Sequence, residues 1–243
     1  MAEPLLRVDG LAACYGQLQA VRGVSFEVDE GAALAVIGEN GAGKTTLFHS
    51  LCGLHDAATG DVVFGGEQLR GVPAHDIVRR GVALVPEGRR IFPSLTVDEN
   101  LRVAEDQHAR HRASRAPSRA RRWTRDRVYE LFPDLRAAAR RGGHQISGGQ
   151  QQMLAIGRAL LSEPRLLLLD EVSLGLSPAV VKILYQALAA IRAEGMTLVF
   201  VEQDVRRSVA FSDHLVCLHK GVVRLAGASR SRSLDEVRRA YLG

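Results

Sequence analysis

Gly38-Glu39-Asn40-Gly41-Ala42-Gly43-Lys44-Thr45-Thr46 decides the fold. An apolar run, Ala32-Ala33-Leu34-Ala35-Val36-Ile37, precedes it, and a helix-forming stretch, Thr46-Leu47-Phe48-His49-Ser50-Leu51, follows. Strand, glycine loop and helix start, in that order, are the setting in which such a loop binds phosphate. Glycines let the chain bend so that its N–H groups turn inward on the anion. The helix N-terminus adds partial positive charge. Gly38, Asn40, Gly41, Gly43 and Thr46 are therefore expected to line a nucleotide's phosphates. Lys44 should reach the β and γ phosphates, and Thr45 should offer its hydroxyl to Mg2+.

Outward from this loop lie further short apolar runs without alternation: Gly81–Val85, Leu166–Leu169 and Thr197–Val201. Strands buried on both faces read this way, as in a parallel sheet sandwiched by helices. Helical stretches at 150–162 and 179–194 alternate with them, which predicts a layered α/β core. By contrast, Leu5–Leu11, Val24–Val28 and Asp61–Phe64 alternate like half-buried strands, and Gly65-Gly66 reads as a hairpin turn. These are expected to form a small antiparallel sheet near the nucleotide. Residues 88–146 are polar, strand-poor and arginine-rich, and predict an inserted helical subdomain. The expected division is one domain over 1–243: antiparallel β at about 1–30 and 55–70, core at 31–54, 71–87 and 147–243, helical subdomain at 88–146.

The chain of 243 residues, 46% hydrophobic and 24% charged, has the composition of a soluble globular protein. Its longest apolar candidate, Ala179–Ala193, is broken by Lys182, Gln186 and Arg192, which excludes a membrane span. Met1-Ala2-Glu3-Pro4 lacks the basic and apolar regions of a signal peptide, so a cytoplasmic location is expected. Cys14, Cys52 and Cys217 fit neither a metal site nor a disulfide framework and read as free thiols. The net charge is +5, and arginine supplies nearly all of the basic side chains. Arg110, Arg112, Arg115, Arg119, Arg121, Arg122, Arg125 and Arg127 form a cluster opposed in sequence only by Asp126. Such a run ordinarily makes a solvated face. It also suits anionic lipid headgroups, at about 1 kcal/mol per arginine. Near the C-terminus, Ser233 and Glu236 fit a capping box opening a terminal helix.

Two more motifs carry chemistry. Leu166-Leu167-Leu168-Leu169-Asp170-Glu171 is a buried strand ending in two acids at the sheet's carboxyl edge, where ligands of α/β folds sit. Asp170 is expected to bind Mg2+, and Glu171 to polarise the water that attacks the γ-phosphate. In Ile146-Ser147-Gly148-Gly149-Gln150, Ser147 and Gln150 make a capping box for an amphipathic helix. Gly148 and Gly149 leave N–H groups at that helix end, a second anion site in one chain. Two molecules facing head to tail would let each lend one site to the other's nucleotide.

In this order and spacing, the phosphate loop, the Ser-Gly-Gly-Gln signature and the Leu-Leu-Leu-Leu-Asp-Glu strand resemble the ATPase subunit of an ABC transporter, from about Leu5 to Gly243. The resemblance implies an α/β P-loop NTPase with a RecA-like core, a small antiparallel β subdomain and an inserted helical subdomain. It implies that ATP and Mg2+ are cofactors, that Tyr15 stacks on adenine, and that Glu87 touches Mg2+. It implies partners too: a second ATPase, identical or different, two transmembrane permeases docked through the Glu87–Val97 region, and indirectly an extracytoplasmic solute-binding protein. The protein would then sit peripherally on the inner face of the cell membrane. Val85–Val97, Gln151–Leu160, Ser173–Pro178 and Arg239–Gly243 are similar to LivF-type ATPases of branched-chain amino-acid importers, and urea-importer ATPases share much of this pattern.

The chain departs from the general pattern at four places. Glu87 stands for the usual glutamine, Gln203 for a switch histidine, Ser177 for an aspartate and Val172 for a proline after Glu171. Glutamine hydrogen-bonds phosphate but does not titrate near neutral pH, so Gln203 is expected to slow this chain's own site relative to its partner's. Lys44, Glu171 and Gln203 are the expected catalytic residues. Two other readings compete. A soluble ABC-type ATPase acting on nucleic acid usually carries two ATPase units or a long coiled coil, and one phosphate loop without sustained heptads argues against it. A non-hydrolysing ATP-binding scaffold is excluded if activity is lost with Glu171→Gln.

Overall fold

Two long arms open the chain, β1 (Leu6–Tyr15) and β2 (Leu18–Val28). The computed structural model describes residues 3–112 and 123–242. Next come β3 (Ala33–Ile37), α1 (Lys44–Leu51), β4 (Ala58–Phe64) and the short β5 (Glu67–Gln68). After α2 (Ala74–Arg80) and β6 (Val82–Val85) come the helices α3 (Val97–Arg112), α4 (Arg125–Leu131) and α5 (Pro133–Ala137). Then α6 (Gly148–Leu160), β7 (Leu166–Leu169), α7 (Pro178–Ala193), β8 (Thr197–Val201) and α8 (Val205–Phe211) return it to the core. It ends with β9 (His214–His219), β10 (Val222–Ala228) and α9 (Leu234–Leu242).

The strands form two sheets, an antiparallel one in the order β2-β1-β4-β5 and a larger one in the order β10-β9-β3-β8-β7-β6. All neighbours in the larger sheet are parallel except β10 against β9. The runs without alternation are buried on both faces, as their composition requires. Ala33, Ala35, Ile37, Leu167 and Leu169 face one hydrophobic cluster, while Leu34, Val36, Leu166 and Leu168 face the other. The first cluster includes Leu154, Ile156 and Leu160 of α6 and Leu184 and Leu188 of α7. The second includes α1, through Leu47, Phe48 and Leu51, and the inward residues of the antiparallel sheet. Truncating any of these leucines to alanine should cost about 2–5 kcal/mol.

Three sequence expectations need revision. β1 and β2 run further than their alternation shows, because register shifts between Val8 and Leu11 and again around Ala13 break the period. β9 and β10 were not foreseen: β9 holds only four apolar residues between two histidines, and β10 is half exposed throughout, its aliphatic and small residues interrupted by Arg224. At α9 the capping box is half made. Ser233 Oγ accepts from the Glu236 N–H at 3.1 Å, but the Glu236 carboxylate turns to Arg232 at 2.6 Å.

Of the arginine cluster, Arg125 and Arg127 fall with their side chains among the described residues; the side chains of Arg110 and Arg112, and the whole of Arg115, Arg119, Arg121 and Arg122, lie outside them. Both described members are paired, and with acids other than Asp126, the one opposing residue the local sequence offered. Arg125 bonds Asp98 at 3.0 Å and Glu105 at 2.7 Å, and Arg127 bonds Glu194 at 2.8 Å. These acids are distant in sequence, which is why the local count of charges missed them. All three cysteines are free thiols. Among the described residues no helix is long and apolar enough to cross a membrane.

Candidate active site

The parallel strands β3, β8, β7 and β6 lie side by side, so their carboxyl ends form a row. β3 runs into the glycine loop, β8 into Glu202-Gln203, β7 into Asp170-Glu171, and β6 into Pro86-Glu87. Both neighbours of β3, namely β8 and β9, come late in the chain, so the sheet's order switches at the end of β3. Ligands of open α/β sheets bind at such a switch.

Two glycines of the loop are sterically obligatory. Gly38 has φ of +155° and Gly43 φ of +100°, and a Cβ on either would collide with a main-chain oxygen, that of Leu218 or Ala20 respectively. Gly43 caps α1 in the left-handed region, and no side chain hydrogen-bonds to that helix start. Its first amide N–H groups are the free donors every helix N-terminus presents. Lys44 is 5% exposed, its ammonium bonded to the carbonyls of Gly38 at 2.8 Å and Glu39 at 3.0 Å and lying 3.5 Å from Glu171 Oε1.

The two acids after β7 sit in unlike surroundings. Asp170 is 1% exposed, and burial pushes its carboxyl up to about 6. A hydrogen bond with Thr45 opposes the rise, nearby Glu171 and Glu87 add to it, and Lys44 opposes it. Its Oδ1 is buried and has no hydrogen-bond partner among the described residues. Such an atom is a vacant acceptor, and with the Thr45 hydroxyl and the Glu87 carboxylate it makes the hard-oxygen donor set that Mg2+ prefers. Glu171 has φ of +47°, a strained value for a residue with a side chain. Its Oε2 accepts from Gln203 Nε2 at 2.9 Å, and the same Nε2 lies 3.3 Å from Asn40 Oδ1. The structure thus brings Lys44, Glu171, Gln203 and Asn40 into one cluster beside Asp170 and Thr45.

Elsewhere the expected residues are partly occupied by their own fold. Ser147 accepts from the Gln150 N–H at 3.3 Å and Gln150 bonds back to the Ser147 N–H at 3.0 Å, completing the capping box. Gly149 packs against Val180, and the Arg89 guanidinium lies against Gly148 while bonding Gln151 at 2.8 Å. Among the described residues no hydrogen bond joins residues 147–150 to the glycine loop. Ser177 caps α7, and Val172 is buried. Glu87 is exposed. Tyr15 is 53% exposed and stacks on His55 with ring centroids 4.6 Å apart, leaving one ring face for a flat base. Sequence reasoning missed Arg89, His55 and Glu202. For Glu202 a signal existed, an acid directly after a buried apolar strand, the same cue that identified Asp170.

The family model described as ABC transporter matches residues 21–173. The chain is 40% identical over 247 residues, covering 98% of it and 100% of the relative, to the high-affinity branched-chain amino acid transport ATP-binding protein BraG of Pseudomonas aeruginosa. Against the protein named BraF of the same organism the identity is 34% over 259 residues, with 100% and 99% covered. A probable branched-chain amino acid transport ATP-binding protein LivF of Archaeoglobus fulgidus is 32% identical over 230 residues, with 93% and 92% covered. Among solved structures, a nucleotide-free ATP-binding cassette from an ABC transporter superposes with a TM-score of 0.83 at 22% identity, covering 99% of this chain and 100% of that one, a likeness of fold.

Proposed function

This chain belongs to the ABC transporter family, and on that premise we propose that it is the ATP-hydrolysing subunit of an importer for branched-chain amino acids. The observation that carries the catalytic reading is the cluster at the strand ends. A buried lysine and a strained glutamate lie 3.5 Å apart, and Gln203 ties that glutamate to the phosphate loop. Among the described residues the Lys44 ammonium bonds its own loop's carbonyls and lies beside Glu171, with Asp170 also in its field. A triphosphate offers Lys44 better partners, charged oxygens in place of neutral carbonyls. Its departure leaves the Glu171 carboxylate free to accept a proton from a water aligned with the γ-phosphate. Gln203 holds Glu171 at the correct angle, and its amide also donates to the phosphate. The loop's N–H groups and the start of α1 hold the phosphates in line. Tyr15 stacks on adenine with its open face.

Mg2+, held by Thr45, Asp170 and Glu87, would neutralise charge between the β and γ phosphates. In support, Asp170 has a buried oxygen with nothing to accept from among the described residues.

Ser147, Gly148, Gly149 and Gln150 serve a second ATPase's nucleotide. Two different relatives in one organism both carry the name of a branched-chain amino acid transport ATP-binding protein, which supports a different rather than identical partner. The Glu87–Val97 region, exposed at Glu87, Phe92 and Pro93 and buried at Val97, faces two membrane permeases, with the chain on the inner face of the membrane and an outer binding protein selecting the solute. ATP closes the pair of ATPases, and hydrolysis with product release reopens it.

The test is uptake of labelled leucine by vesicles holding this chain with its co-expressed membrane subunits, ATP being supplied on its side. Uptake and ATP hydrolysis should both vanish with Glu171→Gln. Undiminished hydrolysis in that variant overturns the catalytic reading, and uptake of urea rather than leucine overturns the solute.

A further inference from the structure

Glu202 is 3% exposed, at the end of a strand whose other residues are all apolar or buried. A buried carboxylate is costly unless its lone pairs are filled. Here they are filled from four directions. Ser173 Oγ donates to it, lying 2.9 Å from Oε1 and 2.7 Å from Oε2. The Tyr185 hydroxyl of α7 donates at 2.7 Å. The backbone N–H groups of Gln203 and Asp204 approach at 3.1 and 3.3 Å. From α8 the Arg207 guanidinium lies at 3.4 Å, shared with Asp204.

Ser173 and the Gln203 and Asp204 N–H groups belong to the two loops that meet at the hydrolytic cluster, while Tyr185 and Arg207 hold the carboxylate from α7 and α8. Ser173 stands two residues after Glu171, whose backbone is held in the left-handed region. Gln203 is the next residue after Glu202, and its own N–H is one of the donors. We propose that Glu202 is a positioning residue for ATP hydrolysis, a buried carboxylate that clamps the Glu171–Ser173 turn and the Gln203 peptide to one point so that Gln203 meets Glu171 Oε2. The inference rests on the reading of Glu171 and Gln203 as the hydrolytic pair. Glu202 touches no reacting atom. It acts through the angle and reach of its neighbours, where a displacement of about 1 Å is able to cost on the order of a hundredfold in rate.

Glu202→Gln keeps the shape and one acceptor but replaces the other acceptor with a donor facing Ser173 and Tyr185. In the assembled transporter it should lower kcat on the order of ten- to hundredfold while leaving KM for ATP within about twofold, since Lys44 and the glycine loop, which hold most of the nucleotide's phosphates, stay in place and only the donation from Gln203 is displaced. Ser173→Ala, which leaves the carboxylate and its other partners in place, should move kcat in the same direction by less, and it carries the test if Glu202→Gln does not fold. Combined with Gln203→Ala, either variant should lose little beyond the larger single loss, because both act through one contact. A merely structural role lowers thermal stability but gives losses that multiply in full. That result, or wild-type kcat in both Glu202→Gln and Ser173→Ala, overturns the proposal. Should Glu171→Gln abolish hydrolysis while those two variants turn over normally, the clamp alone is wrong; activity in Glu171→Gln removes the reading beneath it.

Discussion

Two helices of this molecule have a glycine at or beside their first residue, Gly43 as the cap of α1 and Gly148 as the first residue of α6, and their N-termini are built in opposite ways. α1 starts at Gly43 with no side chain closing its first turn, and its lysine is turned back onto the loop's own carbonyls. α6 starts at Ser147 with both halves of a capping box in place, and Arg89 lies across its first glycine. One end is left without a side-chain cap, open to a ligand's phosphates. The other is already satisfied within the chain, so an anion there adds contacts to a stable structure instead of completing one. The contrast matches a division of labour in which α1 binds nucleotide alone and α6 recognises a nucleotide already bound elsewhere.

The sharpest way to break this comparison is Lys44→Ala. It should reduce hydrolysis by about 10²–10³-fold or more, because the γ-phosphate loses its charge partner at the incomplete end. Activity close to wild type, measured by phosphate release, would mean that the helix end alone suffices.

The next effect is a pH dependence at the same end. Burial raises Asp170 to about 6 from 3.8, so between these values the folded state holds a proton that the unfolded chain has released. Stability of the ligand-free protein should therefore fall as pH rises through that window, by on the order of 1–3 kcal/mol, and Asp170→Asn should remove the slope. Thermal melts from pH 4 to 7 with and without the substitution measure it. Mg2+-dependent ATP binding should run the other way and weaken as pH falls below about 6, when the carboxyl protonates.

A smaller effect belongs to α6. Ser147→Ala should cost about 1 kcal/mol of stability through the lost cap. It should leave ATP affinity of the isolated chain unchanged while slowing the assembled pair. Equal losses of affinity in chain and complex would place this helix end at the chain's own nucleotide.

The smallest is Gln203→His, expected to raise turnover of the complex a few-fold, on the order of 1 kcal/mol or less in barrier. No gain would show that an amide donating to Glu171 does the task of the missing imidazole.

Much of this was legible in the sequence because it is local. The four runs that became β3, β6, β7 and β8 needed only their apolar composition, and the glycine loop needed only its neighbours. What escaped was set by contacts across the fold. β9 and β10 take their places by pairing with β3 and with each other, and their residues carry a weak period. Arg125 and Arg127 had only Asp126 as a local counter-charge because Asp98, Glu105 and Glu194 come from other segments. His55 matters only because the pairing of β1 with β4 brings Tyr15 over it.

One carbonyl has a wider reach than its size suggests. The oxygen of Ala20 lies against both Gly43 and Gly221, where an added methyl would meet it in either place. Replacing glycine by alanine is a common route to a sturdier protein, since it narrows the unfolded ensemble. At these two sites that route is closed: a methyl on one would prise β2 from both loops, so two codons far apart in the gene are bound to the same choice.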